Sequence, residues 1–148
     1  MSKRQIEPRS IPPRDVMEHM ATLNPVFQNF GMEVLDAVPG RSRFAMAVKP
    51  DMANTFGFCH GGIYFVLADT CFGWTCNASN QKSVTAGATI ELLASAKVGD
   101  RLICEAIETA RAGRNAFYAV KIWVEGGETV ALVQGRMRLV GGAIMPET

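Results

Sequence analysis

The segment Ile63 to Cys76 constrains this chain more than any other: fourteen residues, apolar around nearly the whole helical circumference, with a single charge, Asp69, in the middle. A helix that is hydrophobic on every side must be enclosed, either by lipid or by the rest of its own fold. Fourteen residues interrupted by an aspartate fall short of the roughly 20 apolar residues that span a bilayer. The segment therefore reads as a central helix wrapped by other structure, with no membrane span. A chain of 148 residues, 48% apolar and 20% charged, is long enough to supply that wrapping as one domain without metal or disulfide staples.

The wrapping is legible as strands. Val34, Leu35 and Val38 precede a turn at Pro39-Gly40, and Phe44, Met46 and Val48 alternate after it, which predicts a hairpin. Past the central helix, residues 83–93, 101–110, 116–125 and 129–140 read as four strands divided by Lys97 to Asp100, by Gly113 to Asn115 and by a two-residue connection at Gly126-Gly127. One apolar helix with six strands around it predicts an α+β arrangement, an antiparallel sheet curved around the helix. Ahead of this body, Asp15 and Glu18 predict a capping box and a helix over 15–23, and Asn24-Pro25 starts a second short helix closed by Gly31. Residues 1–14, with Pro8, Pro12 and Pro13 and an excess of basic residues, are expected to form a mobile arm ahead of a single domain over 15–148.

Charge and cysteine spacing exclude several functions. Fifteen basic against fourteen acidic residues give a net charge of +1, too weak a field to attract nucleic acid or an anionic membrane. Cys59, Cys71, Cys76 and Cys104 are spaced unlike zinc or redox motifs and read as reduced core thiols, and two histidines cannot build a multi-histidine metal site. No metal is expected. The first residues carry Lys3, Arg4 and Arg9 with no apolar run behind them, so no secretory signal is read and a cytoplasmic location is expected.

The chemistry-bearing residues concentrate in Asn54, Cys59, His60, Gly61, Gly62 and Asp69. Two glycines opening a helix either allow tight packing or aim bare N–H groups, aided by the helix dipole, at an oxygen that becomes negative. Asp69 has no basic residue three or four positions away, so it either makes a structural hydrogen bond, to backbone or to an arginine such as Arg136 or Arg138, or acts as a base or nucleophile. Gly61 and Asp69 stand about 12 Å apart along a helix, too far to act on one carbonyl from one chain. Two chains paired about a two-fold axis would bring one chain's Gly61 to the other's Asp69. A serine triad has its residue types in Ser79, Ser83, His60 and Asp69 but lacks the GxSxG elbow. Cys59 beside His60 reads as a packing residue.

The string HGGIYFVLAD, His60 to Asp69, resembles the signature of the hotdog-fold acyl-CoA thioesterases of the phenylacetic acid degradation group. The resemblance runs over about residues 20–142, through Asn54, Asn77, the TIELL segment at 89–93, Val98-Gly99-Asp100 and Gly135-Arg136. It implies a hotdog fold, one sheet wrapped around one long helix, and homodimers or homotetramers with active sites at the subunit interface. It further implies hydrolysis of an acyl-CoA, aromatic or phenylacetyl in type, with coenzyme A entering only as part of the substrate and no other cofactor. Asp69 then matches the nucleophile or general base, Gly61 the backbone donor to the thioester carbonyl, His60 its flanking residue and Asn54 a loop amide that orients substrate or water. Gly62 and Thr85 would contact substrate, Thr85 standing where some relatives have a serine. An aspartate in place of a sister group's glutamate points to the phenylacetyl type over the hydroxybenzoyl and naphthoyl types. Competing expectations are a hydroxyacyl thioester dehydratase or hydratase using His60 and Asp69, and a non-catalytic acyl-CoA-binding module.

Overall fold

The fold is given by a computed structural model that describes residues 11–146. Two short helices lead in. Helix α1 spans Pro13–Ala21 and starts earlier than the expected 15, because Pro13 occupies the first helical position, where its missing N–H is not needed. Pro12 is the cap residue and no side chain caps this end, so the expected Asp15 and Glu18 box does not form; Glu18 instead lies 3.6 Å from Arg14. Pro13 and Arg14 of the expected arm thus belong to helix α1, while residues 1–10 lie outside the described residues. Helix α2, Pro25–Asn29, begins as expected: Asn24 accepts a hydrogen bond from the Phe27 N–H at 2.9 Å.

The body is one antiparallel sheet of six strands around one helix. Strands β1 (Glu33–Val38) and β2 (Arg41–Ala47) form the expected hairpin, turned by Gly40 at φ +76°. Helix α3 covers Gly61–Asn77, followed by β3 (Ser83–Leu92), β4 (Arg101–Ala112), β5 (Asn115–Val124) and β6 (Thr129–Leu139). Across the sheet the order is β1-β2-β4-β5-β6-β3. The chain from β4 to β6 is a meander, whereas β3 pairs with β6, the last strand, and takes the outer edge. The β5 to β6 connection is longer than the expected two residues: Glu125 and Glu128 stay out of the ladder, with the Val124 N–H donating to the Glu128 carbonyl at 3.0 Å and Gly126 at φ +74°.

Packing explains the curl. Register shifts that leave an extra residue in β1, β3, β4 and β6 each bend a strand and increase its twist, so the sheet wraps α3. Leu67, Ala68, Cys71, Phe72, Trp74 and Cys76 of α3 are buried against inward residues including Phe44, Leu102, Ile122 and Met137. At Gly135 the sheet approaches so closely that a Cβ there would lie 2.6 Å from the Phe72 ring. Of the aromatics near the glycine pair, Tyr64 and Phe72 belong to this core, while Phe56 and Phe58 are exposed in the loop before α3. All four cysteines are buried and unpaired. Among the described residues no helix is long and apolar enough to cross a membrane.

Candidate active site

The start of α3 is built by the loop ahead of it. The Asn54 side-chain oxygen accepts from the Phe56 and Phe58 N–H groups at 2.9 and 3.1 Å, and the Asn54 N–H donates to the Phe58 carbonyl at 2.7 Å. Its oxygen is thereby committed to loop shape, and its NH2 is the part left to meet a ligand. The Cys59 N–H donates to the Ala96 carbonyl at 2.9 Å, the Ala96 N–H donates to the Tyr64 hydroxyl at 2.8 Å, and the His60 N–H donates to the Met52 carbonyl at 2.8 Å. These bonds set the angle at which α3 begins.

His60 is the cap residue of α3: its Nδ1 accepts from the Gly62 N–H at 3.0 Å, which in the neutral ring places the proton on Nε2. That bond uses the Gly62 N–H. The Gly61 N–H, at the first helical position, has no partner among the described residues. It is therefore the free donor at the positive end of a helix of 17 residues. A Cβ at Gly61 would lie 2.9 Å from the end of the exposed Leu92 side chain, which can turn aside. Of the glycine pair, Gly61 thus keeps its N–H free among the described residues, while the Gly62 N–H is turned to the cap.

Asp69 projects from the middle of α3, half-buried. Its Oδ1 accepts a hydrogen bond from Thr85 Oγ1 at 2.6 Å, and no cation bridges to it among the described residues. Arg136 is engaged elsewhere, donating to Asn115 Oδ1 at 3.1 Å and to the Ala86 carbonyl at 3.2 Å. A carboxylate held through one oxygen by a hydroxyl has its second oxygen left for a water or an acyl carbon. Asp69 of α3 meets Thr85 of β3, while Asn54 and His60 lie in the loop that leads into Gly61 and Gly62 at the start of α3, so the two groups sit at different heights along that helix. Eight residues separate Gly61 from Asp69 on this unbroken helix, about 12 Å at the usual rise.

Other nucleophiles are committed elsewhere. Ser83 Oγ donates to Asn77 Oδ1 at 2.6 Å and Ser79 Oγ to the Cys76 carbonyl at 2.9 Å. Burial pushes the Cys59 thiol up to about 11, which keeps it protonated at neutral pH and supports its packing role. Sequence reasoning missed the Arg136 contacts with Asn115 and Ala86, whose only sequence trace is the basic residue in the closing strand. A separate cavity of about 350 Å³ at the C-terminal end of α3, lined by Pro39, Thr75, Ser79, Glu108, Arg111 and Tyr118 among others, touches none of Asn54, His60, Gly61, Gly62, Asp69 and Thr85. Arg111 is held there by Glu108 at 2.8 Å.

Residues 56–131, just over half of the chain, match the thioesterase superfamily. The acyl-coenzyme A thioesterase PaaI of Escherichia coli is 32% identical over 117 residues, covering 79% of this chain and 84% of that protein. The solved structure of the E. coli PaaI protein from the phenylacetic acid degradation operon superposes with a TM-score of 0.86 at 27% identity, over 88% of this chain and 95% of that one. A mutant of the phenylacetic acid degradation protein PaaI of Thermus thermophilus superposes with a TM-score of 0.74 at 29% identity, covering 78% and 98%. The wrapped helix, the family match and these likenesses agree: the chain belongs to the thioesterase superfamily and has its hotdog fold.

Proposed function

We propose that this protein is a cytoplasmic acyl-CoA thioesterase that hydrolyses an aromatic, phenylacetyl-type thioester to the free acid and coenzyme A. The observation that carries the reading is the Asp69 carboxylate, held through one oxygen by Thr85, unpaired with any cation among the described residues and open at its other oxygen. The aromatic preference rests on the phenylacetic acid degradation named for the relatives, with Phe56 and Phe58 exposed beside the glycine pair.

In this reading the Gly61 N–H donates to the thioester oxygen as negative charge grows on it. Asp69 either takes a proton from a water that attacks the carbonyl carbon, or attacks that carbon itself to give an anhydride that water then opens. Either way the C–S bond breaks and the sulfur leaves as a thiolate that is protonated by solvent; the water oxygen enters the acid product directly on the first route, and on the second it enters the acid or replaces an Asp69 oxygen. Water is the only other reactant, and the reading uses no metal or redox cofactor. His60 and Gly62 hold the helix start, the Asn54 NH2 orients substrate or water, and Thr85 holds Asp69.

Because one chain separates donor from carboxylate by about 12 Å, the working unit is a homodimer or a homotetramer built of two such dimers, with Gly61 of one protomer opposite Asp69 of the other. The exposed edge strand β3 supports this, since its free edge offers a ladder to a second copy. The hydratase alternative needs a histidine as acid or base, and with His60 Nδ1 occupied by the Gly62 N–H only Nε2 is left for that role.

The test is thiol release from aromatic and aliphatic acyl-CoA thioesters by the wild type and by Asp69→Asn. The expected result is turnover fastest with the aromatic esters, with kcat lower by about a hundredfold or more in the variant while binding persists. Full turnover by Asp69→Asn would remove Asp69 from the chemistry. An intact panel with retained CoA ester binding would make the protein a binding module.

A further inference from the structure

We infer that Arg136 is a positioning residue for Asp69, acting through a bulge in β3 and through Thr85. This rests on the reading of Asp69 as the reacting carboxylate. Strands β3 and β6 pair in regular register from Ser83 with Leu139 to Thr85 with Met137, then shift, so that Gly87 faces Arg136 and Ala86 is the extra residue. A bulge leaves its extra residue outside the ladder, and β3 is the edge strand of its own chain, so no further strand of that chain holds it. Here the guanidinium does: Nη2 donates to the Ala86 carbonyl at 3.2 Å and Nη1 to Asn115 Oδ1 at 3.1 Å. Gly87 leaves room for it, since even a Cβ there would stand 3.7 Å from Nη2. A planar fork fixed at two points is a rigid strut between the start of β5 and the bulge.

The residue before the bulge is Thr85, whose Oγ1 donates to Asp69 Oδ1 at 2.6 Å and lies 3.5 Å from Met137 Sδ. A β-branched side chain has few χ1 choices, so the direction of the Thr85 hydroxyl follows the backbone at 85 and 86. Holding Ala86 therefore holds the hydroxyl, and the hydroxyl holds the carboxylate in one orientation. Arg136 touches no reacting atom in this scheme. Its effect reaches Asp69 only through Thr85.

The experiment compares Arg136→Met, Arg136→Lys and Thr85→Ala, and Arg136→Met combined with Thr85→Ala, in thioester hydrolysis and in NMR couplings that report the Thr85 χ1 rotamer. Arg136→Met is expected to lower kcat about tenfold with KM changed by less than about twofold. Arg136→Lys, which keeps one donor, should recover most of kcat. In the Thr85→Ala background Arg136→Met should add less than about a twofold loss, because the two act as one unit. Thr85 should show one rotamer in the wild type and averaged couplings in Arg136→Met. If Arg136→Met fails to fold, Asn115→Ala, which removes the other anchor of the fork, should show the same rotamer averaging and a smaller loss of kcat. Unchanged kcat, a loss confined to KM, a loss that multiplies in full with that of Thr85→Ala, or an unaltered Thr85 rotamer would each overturn the proposal. Absence of turnover in the wild type would overturn the thioesterase reading instead, and the rotamer measurement would still decide whether Arg136 positions Thr85.

Discussion

Two neighbouring residues, Cys59 and His60, show how context divides similar chemical potential. Both carry groups that act in catalysis elsewhere, yet the thiol is buried behind the loop and the imidazole nitrogen closes the helix. Because the Cys59 pKa is raised to about 11, the folded protein keeps this proton through the range where an ordinary thiol loses it. Alkylation by iodoacetamide should therefore be slow at neutral pH and keep rising with pH until it levels off near that value, well above where an ordinary thiol does, as followed by mass spectrometry of the Cys59 peptide. The same proton makes stability fall with rising pH between the ordinary thiol value and the folded one, since the unfolded chain there binds fewer protons. Asp69 was conspicuous in the sequence as the lone charge of an apolar helix. Its partner was not, because Thr85 lies sixteen positions away on another element and nothing local links them.

At the scale of elements, α3 and β6 are matched in shape more than in chemistry. Gly135 has no side chain because the Phe72 ring occupies that space, with ring atoms 2.6 to 2.7 Å from where a Cβ would stand. Gly135→Ala must push the ring or the strand away, and it should destabilise the fold by about 1–3 kcal/mol, measured by urea denaturation. The helix itself was legible, since an apolar circumference of this length permits little else, and so were Asn24 with Pro25 and the Pro39-Gly40 turn. The first helix was less so: Pro13 at the first helical position competes with the Asp15 and Glu18 pattern, and the proline sets the start. The glycine pair at 126 and 127 reads as a tight turn, but the flanking glutamates leave the ladder and lengthen it.

For the whole molecule, the decisive element is β3, an edge strand whose residues are mostly exposed. Ala88 is exposed in the single chain, so Ala88→Lys burdens a second copy seated on this strand and spares the monomer's core. Sedimentation should show the wild type as a dimer or larger and the variant shifted to monomer, with thiol release lost in parallel because donor and carboxylate are no longer paired. A monomeric variant with full activity would refute the two-chain site. By itself the sequence determined the central helix, the strands around it, the glycine start and the lone carboxylate, because helix period, strand alternation and turn residues act over a few positions. Only the tertiary structure decided that β3 leaves its neighbours in the chain to pair with β6, that Thr85 thereby reaches Asp69, and that Arg136 braces the bulge between them. Strand partners and register are chosen by the burial of side chains far apart in the chain, and no short-range pattern encodes that choice.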